Sequence, residues 1–372
     1  MNYGGSVEQG RFKDFDSMLL GMTLLLAAAG VLAIYSANMQ SEPHLQGLYL
    51  RQAMWIGIAL VAAGIATAVD YHLIQRLAYP IYALLLSALI FVEVSGHIAG
   101  GAQRWLNLGG VNLQPSEMMK LAVIILTAHL LDAKESEENL GFRELAFPLL
   151  MVAIPFLLVA KQPDLGTAGI YLILFGGMAL VNGIRKGTLV TVAGLVAILL
   201  PSGWFLLKEY QKNRILTLLN PEADPMGQGY HTIQSKIAIG SGGLWGKGIF
   251  EGTQSKLNFL PEKHTDFIFS VVTEEIGFFG SLVLIALFFF LVMRLIDIIR
   301  HARDKFGALL VTGVTIFISF HALYNMGMTL GLFPIVGVPL PFISYGGSSL
   351  VTNFIAIGLA LNVSLRRFSS EF

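Results

Sequence analysis

Ten apolar runs follow one another along this chain, each close to the roughly 17–25 residues a helix needs to cross a bilayer. They lie near 17–36, 50–69, 77–95, 116–132, 145–161, 164–183, 188–207, 266–293, 307–330 and 346–364. In hydrocarbon every backbone N–H and C=O must find its partner inside the protein, and for unbroken runs of this length that means helices. The sequence therefore predicts an all-α integral membrane protein of about ten transmembrane helices, one polytopic domain over 1–372. Composition points the same way: 55% of residues are hydrophobic and 13% charged, against about 25% charged in soluble domains. The formal net charge is zero, which argues against a nucleic-acid partner. There is no cysteine, so disulfides and thiolate metal sites are excluded, and the eight histidines show no paired zinc spacing. The first run has no small-residue cleavage site and reads as an uncleaved span.

Lysine and arginine set the expected orientation. With the N-terminus inside, the inner segments hold Arg11, Lys13, Arg76, Lys134, Arg143, Arg185, Lys186, Arg294, Arg300, Arg303, Lys305, Arg366 and Arg367. The short outer loops hold only Arg51, Arg104 and Lys161. Both termini are expected in the cytoplasm, which makes 208–265, between spans seven and eight, a large extracytoplasmic loop. Within it, Tyr230 to Ile239 reads either as a short amphipathic surface helix or as a packed re-entrant segment, ending at Gly240-Ser-Gly-Gly243.

The polar residues at membrane edges carry the functional signal. Asp266 stands where the outer loop meets the eighth run, and it reads either as a helix cap or as a general base. In the second reading its pKa is set by burial and by neighbours such as Lys263 and His264. Glu274 and Glu275 follow two turns deeper, and at least one should face the bundle interior. Glu117 and Lys120 share a helix face, either as a structural pair or with Lys120 turned to an anionic substrate. Ser116 is expected to cap that helix, and Asp164 the sixth. Arg104, Lys161 and Arg214 cluster on the outer side, where each alone reads as a surface charge and together they suit a diphosphate. The stretch 331–347 contains prolines 334, 339 and 341, so it cannot be a regular helix and is expected to be a re-entrant loop walling a site or a purely structural plug.

These residues carry a resemblance. Gly-Ala-Gln-Arg-Trp at 101–105, Gln-Pro-Ser-Glu at 114–117 with Lys120, Gln-Pro-Asp-Leu-Gly at 162–166, the run 229–243, His-Thr-Asp-Phe-Ile-Phe at 264–269 and the run 337–347 resemble the SEDS family (shape, elongation, division and sporulation) over nearly the whole chain. Thr253 to Pro261 is closer to the elongation branch than to the division branch. The resemblance implies a peptidoglycan glycosyltransferase that polymerises lipid II into β-1,4-linked glycan strands on the outer face of the inner membrane during cell elongation. It implies lipid II and an undecaprenyl-linked glycan strand as substrates, and a class B penicillin-binding protein and other elongation-complex proteins as partners. Asp266 matches the family's essential acid, and Glu117 and Lys120 match its functional intramembrane pair. Arg104, Arg214, Lys161, His264 and Ser344 join them as candidate substrate-binding residues. The expectation commits to no cofactor and leaves room for a divalent cation, Mg or Mn, at the diphosphate. A lipid II flippase or a non-catalytic scaffold for the penicillin-binding protein would use the same intramembrane polar residues, His321 and Asn325 among them.

Overall fold

The computed structural model describes residues 15–40, 43–99, 102–108, 111–133, 140–224, 227–257, 259–260 and 262–367. Arg11, Lys13 and Lys134 of the inner cations, and Gly101, Asn258 and Pro261 of the motifs, lie outside the described residues. Every one of the apolar runs is helical. In chain order they are α1 (Ser17–Asn38), α2 (Leu48–Ala68), α3 (Ala78–Ser95), α4 (Pro115–Asp132), α5 (Phe142–Lys161), α6 (Leu165–Asn182) and α7 (Lys186–Gly203). The long loop then contributes α8 (Glu209–Leu219), α9 (Gln228–Ser241) and α10 (Thr253–Lys256), before α11 (Ile268–Arg300), α12 (Lys305–Thr329) and α13 (Gly347–Arg366). Among the described residues, 8 helices are long and apolar enough to cross a membrane by length and composition. Of the others, α3 is apolar but shorter, and α4 carries Glu117, Lys120 and Asp132.

The centre of the bundle is α4, α12 and α13, whose residues are buried along most of their length. Around them α2 packs along α13, α11 along α12, α3 along α4, and α5 along α6. By contrast α7 is exposed along nearly its whole length. A small antiparallel sheet, absent from the sequence expectation, joins α3 to α4. It consists of β1 (His97–Ala99), β2 (Ala102–Leu108) and β3 (Val111–Leu113), with His97 opposite Trp105 and Leu106 opposite Leu113. β1 and β3 are only three residues each, and β2 places Gln103 beside Arg104 and Trp105 beside Leu106, so none gives the alternation that marks a strand.

Helix caps follow the sequence only in part. Asp164 accepts from the Thr167 backbone N–H and caps α6 as expected. The expected cap at Ser116 is corrected: Gln114 is the cap position of α4, Pro115 is its first residue, and the Ser116 carbonyl accepts from the Tyr171 hydroxyl instead. Proline suits that first position because the N–H it lacks would have had no helical partner.

The loop 208–265 is tied to the bundle rather than resting on its surface. The Tyr230–Ile239 segment is helical within α9 and packs on α11, where the Ser235 and Ser270 hydroxyls lie 2.7 Å apart. Ser235 also donates to the Thr329 carbonyl at 2.6 Å. Helix α11 breaks at Gly277, whose φ of 69° puts it in the left-handed region. The backbone groups freed there are taken by the loop. Lys247 and Gly248 donate to the Glu274 and Glu275 carbonyls, both at 3.0 Å, and Phe278 donates to Gly243 at 2.9 Å. The two carboxylates beside the break face inward. Glu274 accepts from Lys247 at 2.6 Å and from the Thr253 N–H at 2.8 Å, while Glu275 accepts from Ser36.

Candidate active site

Asp266 occupies a run of turns just before α11, in which Thr265 and Phe267 both donate to the Glu262 carbonyl. It does not cap the helix: the cap position is Phe267, with no side-chain hydrogen bond. Its carboxylate instead opens on a cavity of about 230 Å³ lined by Arg104, Pro163, Asp164, Arg214, His231, Glu262, Asp266, Phe267 and residues 335–337. Six stretches distant in sequence therefore meet here: β2, the α5–α6 turn, α8, α9, the approach to α11, and the proline-containing stretch after α12.

Local chemistry explains each wall. Arg104 projects from β2 to the α5–α6 turn, donating from Nε to the Gln162 carbonyl at 3.1 Å and from Nη2 to the Pro163 carbonyl at 2.8 Å. Its Nη1 lies 3.4 Å from an oxygen of Asp164, so one acid both caps α6 and holds the arginine at the cavity. His231 stacks on Phe267, with ring centroids 6.2 Å apart. Gly337 has φ 75°, a conformation side chains resist, and a Cβ there would lie 3.5 Å from Asp266 Oδ2. The acid thus sits against the irregular stretch predicted to wall a site.

Burial pushes the Asp266 carboxyl up to about 7; the neighbouring Glu262 and Asp164 push the same way and Arg214 pulls it down. The expectation that Lys263 and His264 set this value is corrected. Lys263 is itself buried and drawn down to about 8, and His264 is drawn below the ordinary histidine range by burial. Above about pH 7 the Asp266 carboxyl is mostly ionised and can accept a proton, with two guanidinium groups on the same cavity.

The other expected residues fall elsewhere. Glu117 and Lys120 are both buried and pair at 2.7 Å, and neither lines the cavity. Lys120 Nζ also lies 3.0 Å from His321 Nε2, whose Nδ1 faces the Phe317 carbonyl at 2.9 Å. Lys161 is 73% exposed, pairs with Glu93 and is not part of the cavity lining. His264 lies edge-on to Tyr345, outside the lining. Ser344 accepts from Leu340 N–H at 2.8 Å and donates to the Thr265 carbonyl at 2.7 Å, so it clasps the loop to the Asp266 segment. Among the described residues, no three of His, Asp or Glu converge as a metal-binding group.

The family model described as cell cycle protein, covering FtsW, RodA and SpoVE, matches residues 16–368. The chain belongs to the FtsW/RodA/SpoVE family. A relative named peptidoglycan glycosyltransferase MrdB from Escherichia coli K12 is 40% identical over 355 residues, covering 95% of this chain and 94% of that one. Peptidoglycan glycosyltransferase RodA from Treponema pallidum is 33% identical over 427 residues, covering 95% and 98%. Among solved structures, a chain of a peptidoglycan synthase complex that coordinates polymerization and crosslinking matches with a TM-score of 0.81 at 32% identity, covering 96% and 99%. The rod shape determining protein RodA of Thermus thermophilus matches with a TM-score of 0.71 at 28% identity, covering 96% and 98%. Like these family members the chain is a multi-pass inner-membrane protein.

Three parts of the site escaped sequence reasoning. His231 lies inside the 229–243 run and Glu262 between two motifs, and neither has a spacing that sets it apart from its neighbours. Asn325 stood out only as a polar residue within a span, with nothing to say what it would hold.

Proposed function

We propose that this chain is a peptidoglycan glycosyltransferase that polymerises lipid II, with Asp266 as general base. The observation that carries this reading is one carboxyl, pushed up to about 7, sharing a cavity with Arg104 and Arg214. The likeness to relatives named peptidoglycan glycosyltransferase supplies the substrate class. Asp266 takes the proton from the 4-hydroxyl of the acceptor GlcNAc as its oxygen attacks the donor's anomeric carbon. The bond from that carbon to the undecaprenyl diphosphate breaks, and the configuration inverts from α to β. Base catalysis of this kind is typically worth about 10²–10⁴ in rate. The guanidiniums stabilise charge developing on the leaving diphosphate, a role suited to their bidentate donors.

A divalent cation bound at the diphosphate would supply positive charge to the leaving group, with cavity carboxylates such as Asp164 or Glu262 as the protein groups that could help hold it. Polymerisation by chelator-treated protein, with and without added Mg or Mn, tests that point. The asymmetry of Lys and Arg supports cytoplasmic termini and an outward-facing cavity, with 208–265 as the extracytoplasmic loop. Likeness to a chain of a synthase complex supports a class B penicillin-binding protein as partner.

The deciding experiment gives purified lipid II to detergent-solubilised wild type and Asp266→Asn, with no closed membrane present. Glycan strands from the wild type alone are expected. Strands from both remove Asp266 from the base role, and none from either, under conditions where a known polymerase works, sinks the enzyme reading.

A further inference from the structure

The Asp266 segment is gripped through its backbone. Three consecutive carbonyls are each held from across the fold: His264 by the Tyr345 N–H at 2.9 Å, Thr265 by the Ser344 hydroxyl at 2.7 Å, and Asp266 by Asn325 Nδ2 at 2.9 Å. Asn325 does something the other two do not. Its Nδ2 also donates to the Val338 carbonyl at 2.8 Å. Both donors of one fully buried carboxamide are therefore spent on the two chain segments that flank the acid. Two carbonyls facing the same atom require it to be the nitrogen, which fixes the amide's orientation. Its Oδ1 is buried with no hydrogen-bond partner among the described residues, so the amide's bonding here is all through its nitrogen.

Val338 follows Gly337, the residue against which the Asp266 carboxylate lies. We propose that Asn325 is a positioning residue for the reaction: its carboxamide staples the Asp266 and Val338 segments together and so fixes the acid against Gly337 and over the cavity. This rests on the reading of Asp266 as the base. Asn325 touches neither substrate nor the carboxylate, and acts only through the two backbones it joins. Displacement of a reacting group by about 1 Å can cost on the order of 10²-fold in rate, so a staple at this point bears directly on turnover.

Loss of the staple leaves, of these three cross-fold carbonyl bonds, only those at Thr265 and His264. The acid then swings toward solvent, away from the groups that face it now: Glu262 on its own segment, Arg214 on α8, Asp164 and Arg104 across the cavity, and His231 on α9. Since burial is the main cause that raises its pKa, relief of burial lowers it.

The test measures lipid II polymerisation from pH 5.5 to 8.5 by purified full-length wild type, Asp266→Asn, Asn325→Ala and Asn325→Ser, with a melting temperature for each. For Asn325→Ala the expected result is kcat down at least tenfold, KM within about twofold, and the rising limb of the pH profile displaced to lower pH. If the alanine variant does not fold, Asn325→Ser decides by the same readings, since its shorter side chain cannot reach both carbonyls. A rising limb unchanged from wild type, with activity lost only in proportion to folded protein, overturns the proposal and leaves Asp266 untouched. Activity in Asp266→Asn overturns the underlying assignment of the base, and the positioning role with it.

Discussion

Lys120 donates to Glu117 across 2.7 Å, one helical turn away on α4, and neither side chain borders the cavity that holds Asp266. The pair is completed by His321 on α12. Its Nδ1 faces the Phe317 carbonyl and so carries the proton, leaving Nε2 to accept from Lys120. The three side chains bind α4 to α12, two of the three central helices, where buried apolar residues surround them.

Breaking this set should therefore register first as lost stability. Removing one partner of a buried pair leaves an uncompensated charge, a cost of about 3–5 kcal/mol. Lys120→Ala and Glu117→Gln should both lower the melting temperature strongly, and the double change Glu117→Gln with Lys120→Met should recover part of the loss. Thermal unfolding in detergent beside activity reads this out. A Lys120→Ala protein that melts like wild type yet makes no polymer would instead place Lys120 on the substrate.

Asp266 should couple activity and stability to pH with opposite signs. As the base it must be ionised, so kcat/KM should rise with pH and level off above about 7. For stability, its folded pKa lies above the unfolded value of 3.8, so the folded state binds the extra proton. That contribution is full below the unfolded value and is lost as pH rises through about 7. Asp266→Asn should accordingly melt higher than wild type at pH 8 and match it at acid pH. Equal melting temperatures at pH 8 would mean the carboxylate is not held out of water.

Most of the fold is legible in the chain because lipid leaves few options. Each apolar run had to be a helix, and each is. The site is legible as a set of motifs but not as a constellation. Arg104, Arg214 and Asp266 meet because β2, α8 and the approach to α11 converge, and convergence over more than 160 residues has no local signature. Lys161 and Arg104 looked alike as outer cations; they part because Arg104 meets the carbonyls of the α5–α6 turn while Lys161 points outward to Glu93. Ser344 stood in a motif that suggested substrate contact, and its hydroxyl is spent on Thr265 and Leu340. Hydrogen bonds between segments decided these cases, and a sequence does not display them.

Glu274 should prove to be the anchor of the loop on α11. It is fully buried and accepts from Lys247, from the Thr253 hydroxyl at 3.0 Å, and from the Thr253 and Gln254 N–H groups at the start of α10. Glu274→Gln keeps the shape but loses the charge that Lys247 faces and puts an amide N–H₂ against other donors. Residues 247–256 should then open, and limited proteolysis with trypsin should cut after Lys247 or Lys256 at least tenfold faster than in wild type. Unchanged protection would show that the pairing at the Gly277 break holds the loop unaided.

The two cavity arginines should separate in the pH profile. Arg214 is the cation whose field lowers the Asp266 pKa, so Arg214→Gln removes that pull and should move the rising limb to higher pH. The direction is opposite to that expected of Asn325→Ala. Arg104 is engaged with Asp164 and with the Gln162 and Pro163 carbonyls, so Arg104→Gln should leave the limb in place and lower the melting temperature as the α5–α6 turn loses its tie. If both arginines meet the diphosphate, each change should also raise KM for lipid II, by about tenfold for a loss of roughly 1.4 kcal/mol. The KM effect should shrink as salt is raised, because screening weakens the wild-type attraction that the variants lack. Unmoved KM in both variants would take the diphosphate out of this cavity, whereas a limb displaced equally by both would mean that Arg104 acts on Asp266 as well.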